Sequence, residues 1–213
     1  LFHVLNASAT EFRSLALPGH TFQVVALDGN PVPTRATVPV LWLGPAERIS
    51  AVVTMAAPGV WVLGALDDDA RAHGAGAVVE YAGAKGKPLW KEPAPFHWDY
   101  RSFGSGTKSA PAPEETIKLT FAARPGAREG FDEFTVNGVP FSMAAMQPLF
   151  RIKYGKRYRL HLRNATDDTH PLQLHRHSFE LTSSAGRPTA GVFKDVVMIG
   201  GGQEMKVDFL ANQ

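Results

Sequence analysis

Three imidazoles and one amide fall within the segment HPLQLHRHSF, from His170 to Phe179. Imidazole is a borderline ligand that suits copper and zinc alike, so His170, His175 and His177 are candidate metal ligands, with Gln173 a weaker one. Read as one strand from Leu172 to Thr182, the segment alternates its faces: Gln173, His175 and His177 point one way, Leu172, Leu174 and Arg176 the other. Pro171 lacks a backbone donor and holds its neighbour extended, which lets His170 approach from a different direction than the strand residues, so that one sandwich feeds two nearby sites. The plainer reading is of surface histidines on an edge strand, because a ligand set requires convergent geometry and partners that orient each ring.

An internal repeat weighs against the plainer reading. FHVLNAS at Phe2–Ser8, GHTF at Gly19–Phe22, Gly29, Pro31 and Glu47 recur as LHLRNAT at Leu160–Thr166, RHSF at Arg176–Phe179, Gly186, Pro188 and Glu204. His20, Gly29, Pro31 and Glu47 map to His177, Gly186, Pro188 and Glu204 at one constant offset, and Asn6 maps to Asn164 one position further. Repetition of this order marks duplicated structural units. The positions matching His170, Gln173 and His175 are Arg13, Ala16 and Pro18. Because the first copy stands without ligands there, the scaffold does not explain the second copy's histidines.

The elements around them read as strands. Thr21–Leu27, Val38–Leu43, Ile49–Met55, Val60–Leu66 and Ala77–Tyr81 are rich in Val, Leu, Phe and Trp and are separated by Gly, Pro and Asp. Thr116–Ala122, Phe134–Val136, Phe150–Tyr154, Tyr158–Arg163, Leu172–Thr182, Val196–Ile199 and Glu204–Phe209 follow the same style. No long segment keeps a capped helical period, and short strands at this spacing predict an all-β chain of two Greek-key β-sandwiches. The expected organisation is a first sandwich over 1–82, a Pro/Gly/aromatic linker over 83–113 and a second sandwich over 114–213, each sandwich incomplete at one end. The linker carries Trp90, Phe96, Trp98, Tyr100 and Phe103, too apolar for a free tether, so its middle is expected to pack across the sandwich surfaces, with His97 a packing residue among the aromatics.

Composition bounds the partners. With 213 residues and 44% apolar content the chain can bury two ordinary cores. A net charge of +2 argues for neither nucleic acid nor an acidic partner. In the densest basic stretch Tyr158, Leu160 and Leu162 alternate with Arg157, Arg159 and Arg163, the pattern of a strand with one wet face rather than a nucleic-acid patch. No apolar run reaches about 18 residues and no leader is visible, so neither a membrane span nor a signal peptide is read. The absence of cysteine excludes disulfides and thiolate sites within these residues.

YRLHLRNATDDTHPLQLHRHSF resembles the third cupredoxin domain of the multicopper oxidases, the laccase-like enzymes, whose motif there runs His-Pro-x-His-Leu-His-Gly-His. FHVLNASATEFRSLALPGHTFQVVALDGNPV resembles their second domain, which usually carries no copper, and FDEFTVNGVPF the start of the third. The resemblance implies two cupredoxin-like domains with copper as cofactor, His170 as a ligand of a mononuclear blue copper and His175 as a ligand of the dinuclear pair in a trinuclear cluster. His177 stands where the family usually has no ligand. Gln173 replaces the histidine that binds the cluster's remaining copper, and Arg176 replaces the usual glycine. Gly64, Ala65 and Leu66 hold the positions of the family's closing His-Cys-His strand in the first copy.

The implied activity is one-electron oxidation of a small phenolic substrate or a metal ion with reduction of dioxygen to water, in a longer parent that supplies an N-terminal cupredoxin domain and a C-terminal strand. The 213 residues alone are expected to be inactive, and the implied location is periplasmic or extracellular. A non-catalytic copper-binding module and a purely structural β-sandwich pair are the readings that compete.

Overall fold

The computed structural model describes residues 1–105, 111–144 and 148–212; the stretch 106–110 of the expected linker lies outside them. The chain divides into two compact units, Leu1–Phe103 and Gly104–Gln213. Unit one comprises β1 (Phe2–Leu5), β2 (Arg13–Ala16), β3 (Phe22–Leu27), β4 (Asn30–Pro31), β5 (Thr37–Val38), β6 (Val40–Leu43), β7 (Arg48–Val53), β8 (Val60–Gly64), α1 (Asp68–Ala72) and β9 (Gly76–Glu80). One sheet has the order β1-β7-β3-β4, with β5 also on β3, and the other β6-β2-β8-β9. Alternation along β3 and β7 buries Phe22, Val24, Leu27, Ile49, Ala51 and Val53, while Val40, Leu41 and Leu43 are buried from β6. Two sheets each hydrophobic on one face have this as their stable solution.

Unit two comprises β10 (Glu115–Arg128), β11 (Phe131–Val136), β12 (Val139–Pro140), β13 (Arg157–Asn164), β14 (His170–Gln173), β15 (Phe179–Ser184), β16 (Arg187–Lys194), β17 (Val196–Ile199) and β18 (Glu204–Leu210). Its larger sheet runs β12-β11-β10-β13-β18-β15-β16, and β14 pairs with β17 in a second. The neighbours β13-β18-β15 repeat β1-β7-β3, and β14-β17 repeats β2-β6. Even the irregularities recur. β3 carries a bulge between Val24 and Ala26, and β15 carries one between Leu181 and Ser183.

Each unit is pinned by the same buried side chain. Asn6 donates to the carbonyls of Glu11 and Leu43 and accepts from the Ser8 amide. Asn164, 1% exposed, donates to the carbonyls of Asp168, Ile199 and Gly200 and accepts from the Thr166 amide. A single amide thus satisfies backbone groups where β13 ends and where β17 ends, which is where a sandwich otherwise strands its polar backbone.

The basic strand has a more structured face than solvation alone. Tyr158, Leu160 and Leu162 are buried as the alternation demands, but Arg159 makes a two-pronged bond to buried Asp208 and Arg157 reaches buried Glu180. The hydrogen bond to Asp208 holds the Arg159 pKa above its ordinary value.

Other departures from the sequence reading have local causes. Phe150–Tyr154 forms no strand: among the described residues no edge pairs with it, and Gly155, at φ 82, turns the chain immediately before β13. Leu172–Thr182 is two strands separated by a turn at His175 and Arg176. Strand β16 and the one-turn helix α1 were not anticipated; Asp67 caps α1 by accepting from the Ala70 amide, in a segment too short to show a helical period. Glu47 and Glu204 are not equivalents. Asn6 N donates to Glu47 O, whereas Asn164 N donates to Gln203 O, and Val196 lies opposite Gln173 where Val40 lies opposite Ala16, so unit two is one residue shorter before β17 and Glu204 takes the place of Arg48. A slip by one exchanges strand faces. Glu47 is accordingly buried against the Gly44 amide and the Tyr100 hydroxyl, and Glu204 is exposed beside His161, whose hydrogen bond lowers the Glu204 pKa.

Residues 83–103 pack on unit one. Leu89 bridges to Trp61, the Arg71 guanidinium lies 3.8 Å over the Trp90 ring, and Phe96, Trp98, Tyr100 and Phe103 form a chain of ring contacts. His97 itself is exposed, since its neighbours rather than its own ring fill the space.

Asn164→Ala leaves three carbonyls short of a donor and should lower unit-two stability by about 2–4 kcal/mol. Chemical denaturation read by the tyrosines of β13 and its surroundings checks this, and an unchanged midpoint contradicts it.

Candidate metal centre

Strand β14 carries His170, Pro171, Leu172 and Gln173 with alternating burial, so half-buried His170 shares a face with Leu172 and exposed Gln173 shares the other with Pro171. Pairing with β17 fixes the register: His170 lies opposite Ile199 and Gln173 opposite Val196. His170 and Gln173 therefore serve opposite faces. His175 and Arg176 form the turn that follows, closed by a bond from the His177 amide to the Leu174 carbonyl.

That turn is the counterpart of Pro18 and Gly19 in unit one. Gly19 has φ 75 and Arg176 has φ 65, so an arginine occupies a left-handed position that glycine holds in the other copy. The Pro-Gly of the first copy was the signal, available in the sequence, that the second copy would also break here. The expected alternation from Gln173 through His177 consequently does not run through: His175 is an exposed turn residue.

His177 repeats His20. In each, Nδ1 meets the carbonyl two residues back, His175 O at 3.2 Å and Pro18 O at 2.9 Å. His20 completes its set through Nε2 with the Tyr81 hydroxyl at 2.6 Å, whereas the His177 ring packs edge-on to Phe209. The shared backbone bond explains why a histidine recurs at this position in both units.

His170 has the most developed surroundings of the four. Its Nε2 lies 2.7 Å from Thr166 Oγ1, its ring stacks on Phe121 at 6.3 Å between centroids, and Phe134 meets it edge-on at 5.4 Å. Beta-strand register supplies these neighbours: Phe121 of β10 pairs with Asn164, and Phe134 comes from adjacent β11. Phe121, Phe134, Val139, Phe141, Leu149 and His170 line a cavity of about 360 Å³ that has no carboxylate among its described lining residues. Sequence reasoning missed Thr166 and the phenylalanines as parts of this site, because each reaches His170 from outside the histidine motif. The Asn-Ala-Thr shared with Asn-Ala-Ser in the first copy was the available signal for Thr166.

Among the described residues no three His, Cys, Asp or Glu side chains converge as a metal set. The donors do suit copper as members of a larger set: a half-buried imidazole anchored through one nitrogen, and an accessible imidazole five positions on.

The family model described as multicopper oxidase matches residues 1–84, and a second of the same description matches residues 108–213. Over 216 aligned residues the chain is 32% identical to the multicopper oxidase MmcO of Mycobacterium tuberculosis, covering 98% of this chain and 40% of that protein. A multicopper oxidase from Campylobacter jejuni, described as a metallo-oxidase, matches with TM-score 0.66 and 17% identity over 99% of this chain and 47% of its own. The laccase-like CueO of Ochrobactrum sp. matches with TM-score 0.70 and 19% identity over 99% and 48%. The chain thus spans less than half the length of these relatives. Both sandwiches have the cupredoxin fold.

Arg176→Gly should stabilise unit two by about 0.5–1 kcal/mol: relief of a left-handed non-glycine residue is worth roughly 1–2 kcal/mol, less the greater freedom glycine has when unfolded. Gly19→Ala should do the opposite in unit one, where the added Cβ meets Trp61 at 3.2 Å. Equal denaturation midpoints for both variants and the parent sequence refute the pairing.

Proposed function

This chain belongs to the multicopper oxidase family, a copper-dependent class of oxidoreductases, and we propose that it contributes two cupredoxin domains to an oxidase that takes single electrons from an organic phenolic substrate and passes them to dioxygen. His170 and His175 are its copper ligands from this chain, Gln173 occupies a third ligand position, and His177 serves packing first. The observation that carries the reading is the environment of His170: one imidazole with an anchored nitrogen, set in the wall of an aromatic-lined cavity.

Copper, when bound, supplies the one-electron redox chemistry. What the chain supplies is position and recognition. Phe121 and Phe134 restrict the His170 ring on two sides. The cavity beside it offers aromatic faces and, from the described residues, no carboxylate for a ferrous ion and no thiolate or thioether for a cuprous one, which suits a phenol. A blue copper centre also requires a thiolate, and with no cysteine in these 213 residues that ligand comes from elsewhere. The 213 residues by themselves are therefore inactive, and the site of action is periplasmic or extracellular. Strand β14 sends His170 to one face and Gln173 to the other, the arrangement that lets one strand serve a mononuclear site and a cluster.

The test is the copper-loaded full-length protein supplied with a methoxyphenol, Fe(II) or Cu(I) as the electron donor under air. Turnover of the phenol, lost in His170→Ala, is the expected result; preference for either metal ion, or retained turnover in His170→Ala, overturns it. Phe134→Ala should reduce kcat/KM for the phenol by about tenfold, the loss of one aromatic contact worth roughly 1.5 kcal/mol.

Gln173 supplies a neutral amide where an imidazole binds copper better. Gln173→His should raise both copper content and the rate of reoxidation by dioxygen in the full-length protein. Equal copper content in the two forms contradicts the assignment of Gln173 to a copper site.

A further inference from the structure

Thr166 Oγ1 sits among three groups that compete for its single proton: Asn164 Oδ1 at 2.8 Å, Asp168 O at 3.3 Å and His170 Nε2 at 2.7 Å. The orientation of the Asn164 amide is not in question, because its nitrogen faces three backbone carbonyls and its oxygen already accepts the Thr166 amide. If the hydroxyl gave its proton to His170, two oxygens 2.8 Å apart would face each other with no proton between them. If the hydroxyl donates to Asn164 Oδ1, every group is satisfied, and His170 must then donate through Nε2. Nδ1 is left with its lone pair, and no described residue bonds it.

We propose that Thr166 is a positioning residue that fixes His170 as the Nε2-protonated tautomer and holds its ring, so that Nδ1 is the nitrogen offered to copper. The inference rests on the copper reading of His170 given above. Unit one shows that the turn does not need this bond. Its equivalent, Ser8, uses its hydroxyl to accept from the Glu11 amide at 2.9 Å and the Thr10 amide at 3.4 Å, closing the loop on itself. In unit two the hydroxyl is turned to an imidazole that unit one lacks. A ligating histidine whose other nitrogen is tied to the protein binds metal more tightly, and loss of such a partner lowers affinity about 10–100-fold.

The experiment has a metal-free arm and a metal arm. Nitrogen NMR of histidine-labelled protein, at a pH where the imidazoles are neutral, reads the tautomer and the exchange rate of the His170 Nε2 proton. Nε2 protonation with slow exchange is expected in the parent sequence and in Thr166→Ser, and fast exchange with a mobile ring in Thr166→Val. Ser8→Ala controls for general destabilisation and should leave His170 unchanged. Titration with Cu(I), a diamagnetic probe, should shift His170 and should bind Thr166→Val about 10–100-fold more weakly than Thr166→Ser. A His170 protonated at Nδ1, or a Thr166→Val protein with the parent's exchange rate and Cu(I) affinity, overturns the proposal. Cu(I) that leaves His170 unshifted in the parent sequence, with the slow Nε2 proton intact, overturns instead the copper reading on which the purpose of Thr166 rests.

Discussion

The amide of Asn164 joins the fold to the chemistry. Its nitrogen gathers the carbonyls of Asp168, Ile199 and Gly200, which sets where β13 gives way to β14 and where β17 ends. Its oxygen orients Thr166, and Thr166 meets His170. A buried amide with both ends committed cannot rotate without stranding several backbone groups, each a loss of about 1–3 kcal/mol. The position of a candidate ligand is thereby tied to the sandwich itself rather than to the flexibility of a surface loop. That is the requirement for a redox metal site, whose ligands must keep one geometry through changes of charge.

How much of this was legible in the sequence follows from which interactions are local. The duplicated words around Asn6 and Asn164, and the alternation of Tyr158, Leu160 and Leu162, report backbone geometry and burial within a few residues, and the structure has both. Misreadings arose where tertiary pairing decides. Phe150–Tyr154 has a strand's composition but joins no edge among the described residues. HPLQLHRHSF looks like one run because Arg176 hides a turn that Gly19 displays openly in the other copy. The match of Glu47 to Glu204 was persuasive in sequence and one residue out in register, a shift that places one carboxylate in the core beside Tyr100 and the other at the surface beside His161.

The candidate site was half visible for the same reason. The histidines announce themselves by type and spacing, and their metal role by family resemblance. Phe121 and Phe134 do not, since they arrive from β10 and β11 through a parallel pairing with β13 and an antiparallel one beyond it. Long-range register is what a single sequence encodes least directly.

The two copies also act as a control on each other. Where both units hold the same residue in the same bond, as with the asparagine amides and the Nδ1 contacts of His20 and His177, the bond is explained by the sandwich. Where they differ at equivalent backbone positions, the fold is silent and something else has chosen the side chain. Arg13 and His170 occupy one such position, and Ser8 and Thr166 another, with the hydroxyl closing a loop in one unit and meeting the imidazole in the other. These two differences are physically linked, because the hydroxyl has an imidazole to meet only where the histidine is present. Coupled change at two positions of an otherwise common scaffold is the pattern expected when a site is built onto a fold that stands without it.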